Sequence, residues 1–203
     1  MTIGAIVLAA GLSRRMGAAK LALPFGGGTV LGATLDAVAR AGIPALVVVG
    51  GHGEQVRPLA GSWPTIVAPD HALGLAHSLR AGIAAAPADW HGALIVLGDM
   101  PFVQPSTYRA LADALEAGAE AVRPVHAGRP GNPAGFARAL FPRLLGLAGD
   151  QGAGALFPTL AVREVVVPDP GIHRDIDTPA DLASGPESPA PPTNHRRDPC
   201  RKA

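Results

Sequence analysis

The sequence predicts a three-layer α/β domain, in which a mostly parallel central sheet is covered by helices on both faces. Three observations carry this expectation. Short β-like apolar runs alternate with helix-like stretches along the chain. Several of those runs are apolar throughout rather than alternating, as in strands buried on both sides. The joining stretches stop at glycine or start at proline, where helices end and begin. Alternation of this kind implies right-handed crossovers between parallel strands. In such sheets ligands bind beyond the carboxyl ends of the strands, so the loops after strands are where function should be sought.

The expected strands are residues 4–9, 45–49, 65–68, 93–97, 119–124, 135–137 and 162–167. Leu31, Leu35 and Val38 recur at helical spacing and stop at Gly42. Leu75, Leu79 and Ile83 repeat at four and end before Pro87, while Leu111 and Leu115 follow Pro105 and run to Gly118. Residues 184–203 hold five prolines and no periodic apolar pattern, and read as a disordered tail behind a domain of residues 1–183.

Composition narrows the classes of function. The 203 residues include 17 basic and 16 acidic side chains, net +1, so sheer charge cannot drive binding to nucleic acid. A lone cysteine, Cys200, excludes an intrachain disulfide framework and a cysteine-based zinc site. The longest apolar run, residues 3–12, is too short for a bilayer and lacks the basic start of a secretory signal, so a cytoplasmic protein with no membrane partner is expected. Lysine occurs only at positions 20 and 202, arginine serving elsewhere. The placement of Lys20 suggests a need for a compact ammonium rather than a planar fork.

Four segments carry candidate chemistry. After the first strand, Leu8 leads into Ala9, Ala10 and Gly11, which are small enough for backbone amides to approach a ligand, and Arg14, Arg15 and Lys20 bring cations to the same rim. A phosphate ester fits such a loop, a solvated basic turn being the alternative. Five residues between Gly11 and Gly17 exclude a P-loop. After the fourth strand, Asp99 stands at the ligand edge, as an oxygen ligand for Mg²⁺ or as a helix cap before Pro101. Asp175 and Asp177 lie one residue apart in extended chain and point to one face. Residues 70–82, containing Asp70, Gly74 and Ser78, open a helix whose amides could meet an anion or a base edge.

Taken together and in order, these residues resemble the molybdopterin nucleotidyltransferase family, especially its molybdenum cofactor cytidylyltransferase branch. The family's LAAGxSxRMGxxK opening is matched at every fixed position from Leu8 to Lys20; a Gly-rich stretch, GDMP at 98–101 and DIDTPxDL at 175–182 follow. The likeness covers residues 3–183. Asn132 and Gly154 depart from it, standing where His and Arg are common. The family's guanylyl branch tends to have LAGG where this chain has Leu8-Ala9-Ala10-Gly11, which favours cytidine.

The resemblance implies a Rossmann-like nucleotidyltransferase fold and transfer of CMP from CTP to the terminal phosphate of molybdopterin, with release of pyrophosphate. It assigns Mg²⁺ to Asp99 and Asp177, with Asp175 as substitute for the latter. Lys20 falls to the α-phosphate and Arg15 to pyrophosphate, with Lys20, Arg15 and Asp99 as the catalytic set. Nucleotide binding is expected from Leu8, Ala9, Ala10, Gly11, Arg15, Lys20, Asp70, Gly74 and Ser78. Partners would be CTP, a molybdopterin-type cofactor, and a molybdenum hydroxylase or its chaperone. Alternatives are a GTP-using or other NTP:phosphate-ester transferase, and a non-catalytic cofactor-binding chaperone. A rival reading, a dinucleotide-binding domain, rests on Gly51, Gly53 and Asp70, but Val56 replaces its third glycine.

Overall fold

A computed structural model describes residues 1–11 and 19–183. Arg15 and the expected tail, 184–203, lie outside the described residues. The chain begins with β1 (Thr2–Ala9), then makes the small hairpin β2 (Pro24–Phe25) and β3 (Gly28–Thr29) before α1 (Val30–Arg40). Next come β4 (Ala45–Val49), the short α2 (Gly53–Val56), β5 (Thr65–Val67) and α3 (Leu75–Ala84). After β6 (Trp90–Leu97) and α4 (Pro105–Glu116), the chain forms β7 (Ala121–His126), β8 (Arg129–Pro130) and β9 (Ala134–Ala137). It continues through α5 (Phe141–Leu145), β10 (Val162–Val166) and α6 (Pro179–Ala183).

The main sheet runs β10-β7-β9-β6-β1-β4-β5, with β8 paired to β7. Neighbours β1–β4, β1–β6, β4–β5 and β7–β10 are parallel; β9 runs antiparallel between β6 and β7. Central β1 shows why both faces are covered. Ile3, Ala5, Val7 and Ala9 enter one core with Leu31, Leu35 and Val38 of α1 and Leu111 and Leu115 of α4. Ile6 and Leu8 enter the other, with Leu79 and Ile83 of α3 and Leu144 of α5. The period of two along the strand thus feeds two helix layers. Each fully buried aliphatic contributes about 1.5–3 kcal/mol of transfer free energy.

Register brings the strand ends level. Leu8 of β1 lies opposite Val48 of β4 and Leu97 of β6, so the chain leaves all three strands along one edge. Gly98, which opens the loop after β6, is held through both its N–H and its carbonyl. Gly98 N–H donates to the Leu8 carbonyl over 3.0 Å, and the buried Thr34 hydroxyl of α1 lies 3.1 Å from the Gly98 carbonyl. None of the helices among the described residues is long and apolar enough to cross a membrane.

The dinucleotide alternative fails on local geometry. Where it needs a helix long enough to aim its amides at a pyrophosphate, α2 has four residues and then tightens into a 3₁₀ turn, residues 57–60.

Candidate active site

A cleft of about 360 Å³ opens beyond the carboxyl ends of β1 and β6. Its lining includes Leu8, Ala10 and Gly11 from the first strand and loop, Lys20 and Leu21 from the following 3₁₀ turn, and Asp99 from the β6 loop. Gly74 and Ser78, at the start of α3, form the opposite wall. Gly74 is held at φ 123°, and a Cβ there would lie 2.3 Å from the Gly149 carbonyl oxygen. That close approach lets the Gly149 carbonyl accept from the Ala76 N–H over 3.0 Å. Only glycine fits both the dihedral and the space.

The charged groups gather at one end of the cleft. Lys20 Nζ lies 2.6 Å from Asp99 Oδ2 and 2.8 Å from Asp177 Oδ1. The Lys20 and Asp99 side chains are 15% and 19% exposed and Asp177 40%, so the pair with Asp99 is the better shielded. Burial pulls the Lys20 ammonium down, but the Asp99 charge and the hydrogen bonds to Asp177 and Asp99 together hold it above its ordinary value. Asp175 is also raised, which for a carboxyl disfavours the charge: desolvation is the largest cause and the charges of Asp177 and Asp99 add to it, against a backbone hydrogen bond and the charge of Lys20, which lower it.

Asp99, Asp175 and Asp177 each offer an oxygen, and the three atoms lie within 4.8 Å of one another. Asp99 Oδ1 is buried without a hydrogen-bond partner among the described residues. A hard divalent cation fits such a set, since it is satisfied by carboxylate oxygens and would offset their mutual repulsion. The convergence depends on long-range docking. Ile176 is fully buried between the two carboxylates, and its N–H donates to the Asp99 carbonyl. Arg174 stacks on Phe102 with its guanidinium carbon 3.6 Å from the ring centre. Asp181 accepts from the N–H groups of Asp177 and Thr178, while the Thr178 hydroxyl accepts from the Asp181 N–H, a reciprocal pair at the start of α6.

The structure therefore brings Leu8, Ala10, Gly11, Lys20, Gly74, Ser78 and Asp99 to one cleft, with Asp175 and Asp177 against its charged end. Ala9 is buried in the core beneath it. Asp70 departs from expectation, being exposed and lining a separate depression with His77 and Arg80. The 3₁₀ turn His71–Leu73 makes the difference, because it sends His71, and not Asp70, to the cleft. His71 is fixed there by Nδ1 donating to the Ala68 carbonyl over 2.9 Å. His71, Leu73, Leu75 and Asp150 line the cleft without having been singled out in the sequence. Asp99 caps no helix among the described residues. Asp169 does that work for α4, accepting from Gln104 N–H at 2.9 Å and the Thr107 hydroxyl at 2.6 Å.

The profile of the MobA-like NTP transferase domain matches residues 5–165. The chain belongs to that family. Among relatives of this MobA-like domain, the molybdenum cofactor cytidylyltransferase of Escherichia coli is 31% identical over 134 residues, covering 64% of this chain and 68% of that protein. The bifunctional protein GlmU of Kineococcus radiotolerans is 36% identical over 169 residues; the match takes in 79% of this chain but 34% of that longer protein. The crystal structure of Rv0371c from Mycobacterium tuberculosis superposes with a TM-score of 0.82 at 35% identity, covering 90% of this chain and 97% of that one. A manganese complex of Rv0371c gives 0.78 at 34% identity, covering 91% and 100%. These likenesses establish the nucleotidyltransferase fold, and the acidic triad supplies donors suited to a divalent metal.

Proposed function

We propose that the protein transfers CMP from CTP to the terminal phosphate of a molybdopterin-type cofactor. An oxygen of the acceptor phosphate attacks the α-phosphorus, the bond to the bridging oxygen breaks, and pyrophosphate leaves. The nucleophile is already anionic, so no strong general base is needed, and alignment with charge neutralisation carries the rate. The observation behind this reading is the meeting of Lys20 with Asp99 and Asp177 at the charged end of the cleft.

Asp99, Asp175 and Asp177 would hold Mg²⁺, which when bound offsets the negative charge of the nucleotide phosphates. Lys20 supplies a compact, movable charge for the α-phosphate. Backbone amides at Ala10 and Gly11 and the buried Ser78 hydroxyl line the cleft where a nucleotide would be oriented. Arg15 keeps its motif-based assignment to the pyrophosphate. Asp70, turned out of the cleft, is left out of the site. The cytosine leaning is supported by Ala10 and by the likeness to the Escherichia coli cytidylyltransferase. The product would pass to a molybdenum hydroxylase or its chaperone.

The deciding experiment incubates the protein with each of the four NTPs, Mg²⁺ and molybdopterin and measures pyrophosphate. Release with CTP is expected. Preference for GTP would overturn the base assignment, and turnover only with another phosphate ester would overturn the acceptor. Tight pterin binding without turnover would make the protein a cofactor chaperone.

A further inference from the structure

We propose that Lys20 is the resident counter-ion of the carboxylate triad in the metal-free protein, and that a divalent cation and Lys20 displace one another there. The inference rests on the triad being the metal site and concerns what that site holds beforehand. Nζ of Lys20 is within 2.6 and 2.8 Å of the Asp99 and Asp177 oxygens, two of the three carboxylates that converge. Asp99 Oδ1 stays buried without a hydrogen-bond partner among the described residues, so the ammonium does not satisfy every oxygen of the cluster.

A divalent cation drawing on the same carboxylates would come within a few ångströms of Nζ. Like charges that close repel strongly in a partly shielded site. The ammonium sits on a flexible four-carbon stem and also lines the cleft near Ala10 and Gly11, so it has somewhere to go. Metal binding would turn Lys20 from the triad towards the space a polyphosphate would fill. The coupling is reciprocal: whatever draws Lys20 into the cleft raises metal affinity, and metal frees Lys20 for the phosphate. Arginine could not do this. Its planar fork would grip the two carboxylates and be slower to yield them.

The test reads metal and lysine directly. Free Mn²⁺ is followed by electron paramagnetic resonance during titration of wild type, Lys20→Met and Lys20→Arg. Lys20→Met is expected to bind Mn²⁺ about tenfold or more tightly than wild type, because the competing cation is gone. Lys20→Arg should bind no more tightly than wild type. Equal or weaker binding by a natively melting Lys20→Met would overturn the proposal.

A second measurement uses wild type alone. With lysine labelled by ¹³C at Cε, only Lys20 and Lys202 contribute signals. Addition of Mg²⁺ should move the Lys20 resonance and leave that of Lys202 in place. An unmoved Lys20 signal at saturating Mg²⁺ would overturn displacement even where metal binds. Failure of every form to bind Mn²⁺ would overturn both the displacement and the triad as a metal site. Pyrophosphate release reports separately on the transfer reaction.

Discussion

The main-chain N–H of Ile176 donates to the carbonyl oxygen of Asp99 over 2.9 Å. This one bond joins the loop after β6 to the closing segment of the domain, and it does so between Asp175 and Asp177. With Ile176 anchored in the core, the flanking carboxylates have little choice but to face Asp99.

Asp99→Asn should keep the fold and lose the chemistry. The amide preserves size but removes a charge from the triad, so turnover should fall by about a hundredfold or more, the several kcal/mol a metal ligand supplies. Pyrophosphate release and a melting curve check this together. Unchanged turnover would remove Asp99 from the site.

Gly74→Ala tests the cleft wall. The added methyl would meet the Gly149 carbonyl at 2.3 Å, at a φ that alanine rarely adopts. A stability loss of about 1–3 kcal/mol is expected, together with weaker nucleotide binding. Thermal unfolding reads the first effect and a nucleotide titration the second.

Tyr108→Phe should stabilise the protein, and more so at alkaline pH. Tyr108 is fully buried, and its hydroxyl has no hydrogen-bond partner among the described residues. Removing it should gain about 1 kcal/mol. Burial, aided by the Asp169 charge, pushes the phenol far above its ordinary value of 10.0. The unfolded chain loses this proton as pH rises through about 10 while the folded chain retains it, so wild-type stability falls there. The phenylalanine variant should lack that component of the fall. Because Tyr108 is the sole tyrosine, tyrosinate absorbance follows its ionisation without interference.

Base choice should favour CTP over GTP, since a site left with unpaired buried polar groups rejects the wrong base strongly. Ala10→Gly should raise GTP use by roughly 1–3 kcal/mol in kcat/KM, the range that small changes in pocket packing supply. No gain for GTP would show that this buried alanine does not shape the base subsite.

Legibility followed the length and range of each signal. The apolar runs of β1, β4 and β6 and the periodic leucines of α1, α3 and α4 were readable, since each buries a long continuous pattern. The hairpin of β2 and β3 and the four-residue α2 were not, because elements so short have no period. Nor does a run such as 134–137 reveal that it lies antiparallel to its neighbours; direction is set by the partner strand. Lys20 and Asp99 stood out by residue type and position after a strand. His71 did not, because only the local turn decides that it, rather than the charged Asp70 beside it, enters the cleft. Asp169 escaped notice for a related reason: its partners, Gln104 and Thr107, are more than sixty positions away.

The ion pair of Lys20 with Asp177 joins positions 157 residues apart. A ribosome releases Lys20 early and Asp99 midway, yet neither has its full set of partners until Asp177 emerges. At about 5–20 residues per second, that interval is on the order of ten seconds. Until then the cleft lacks its finished charge cluster. The cluster is thus completed only by the closing segment of the domain, after every strand of the main sheet has been made.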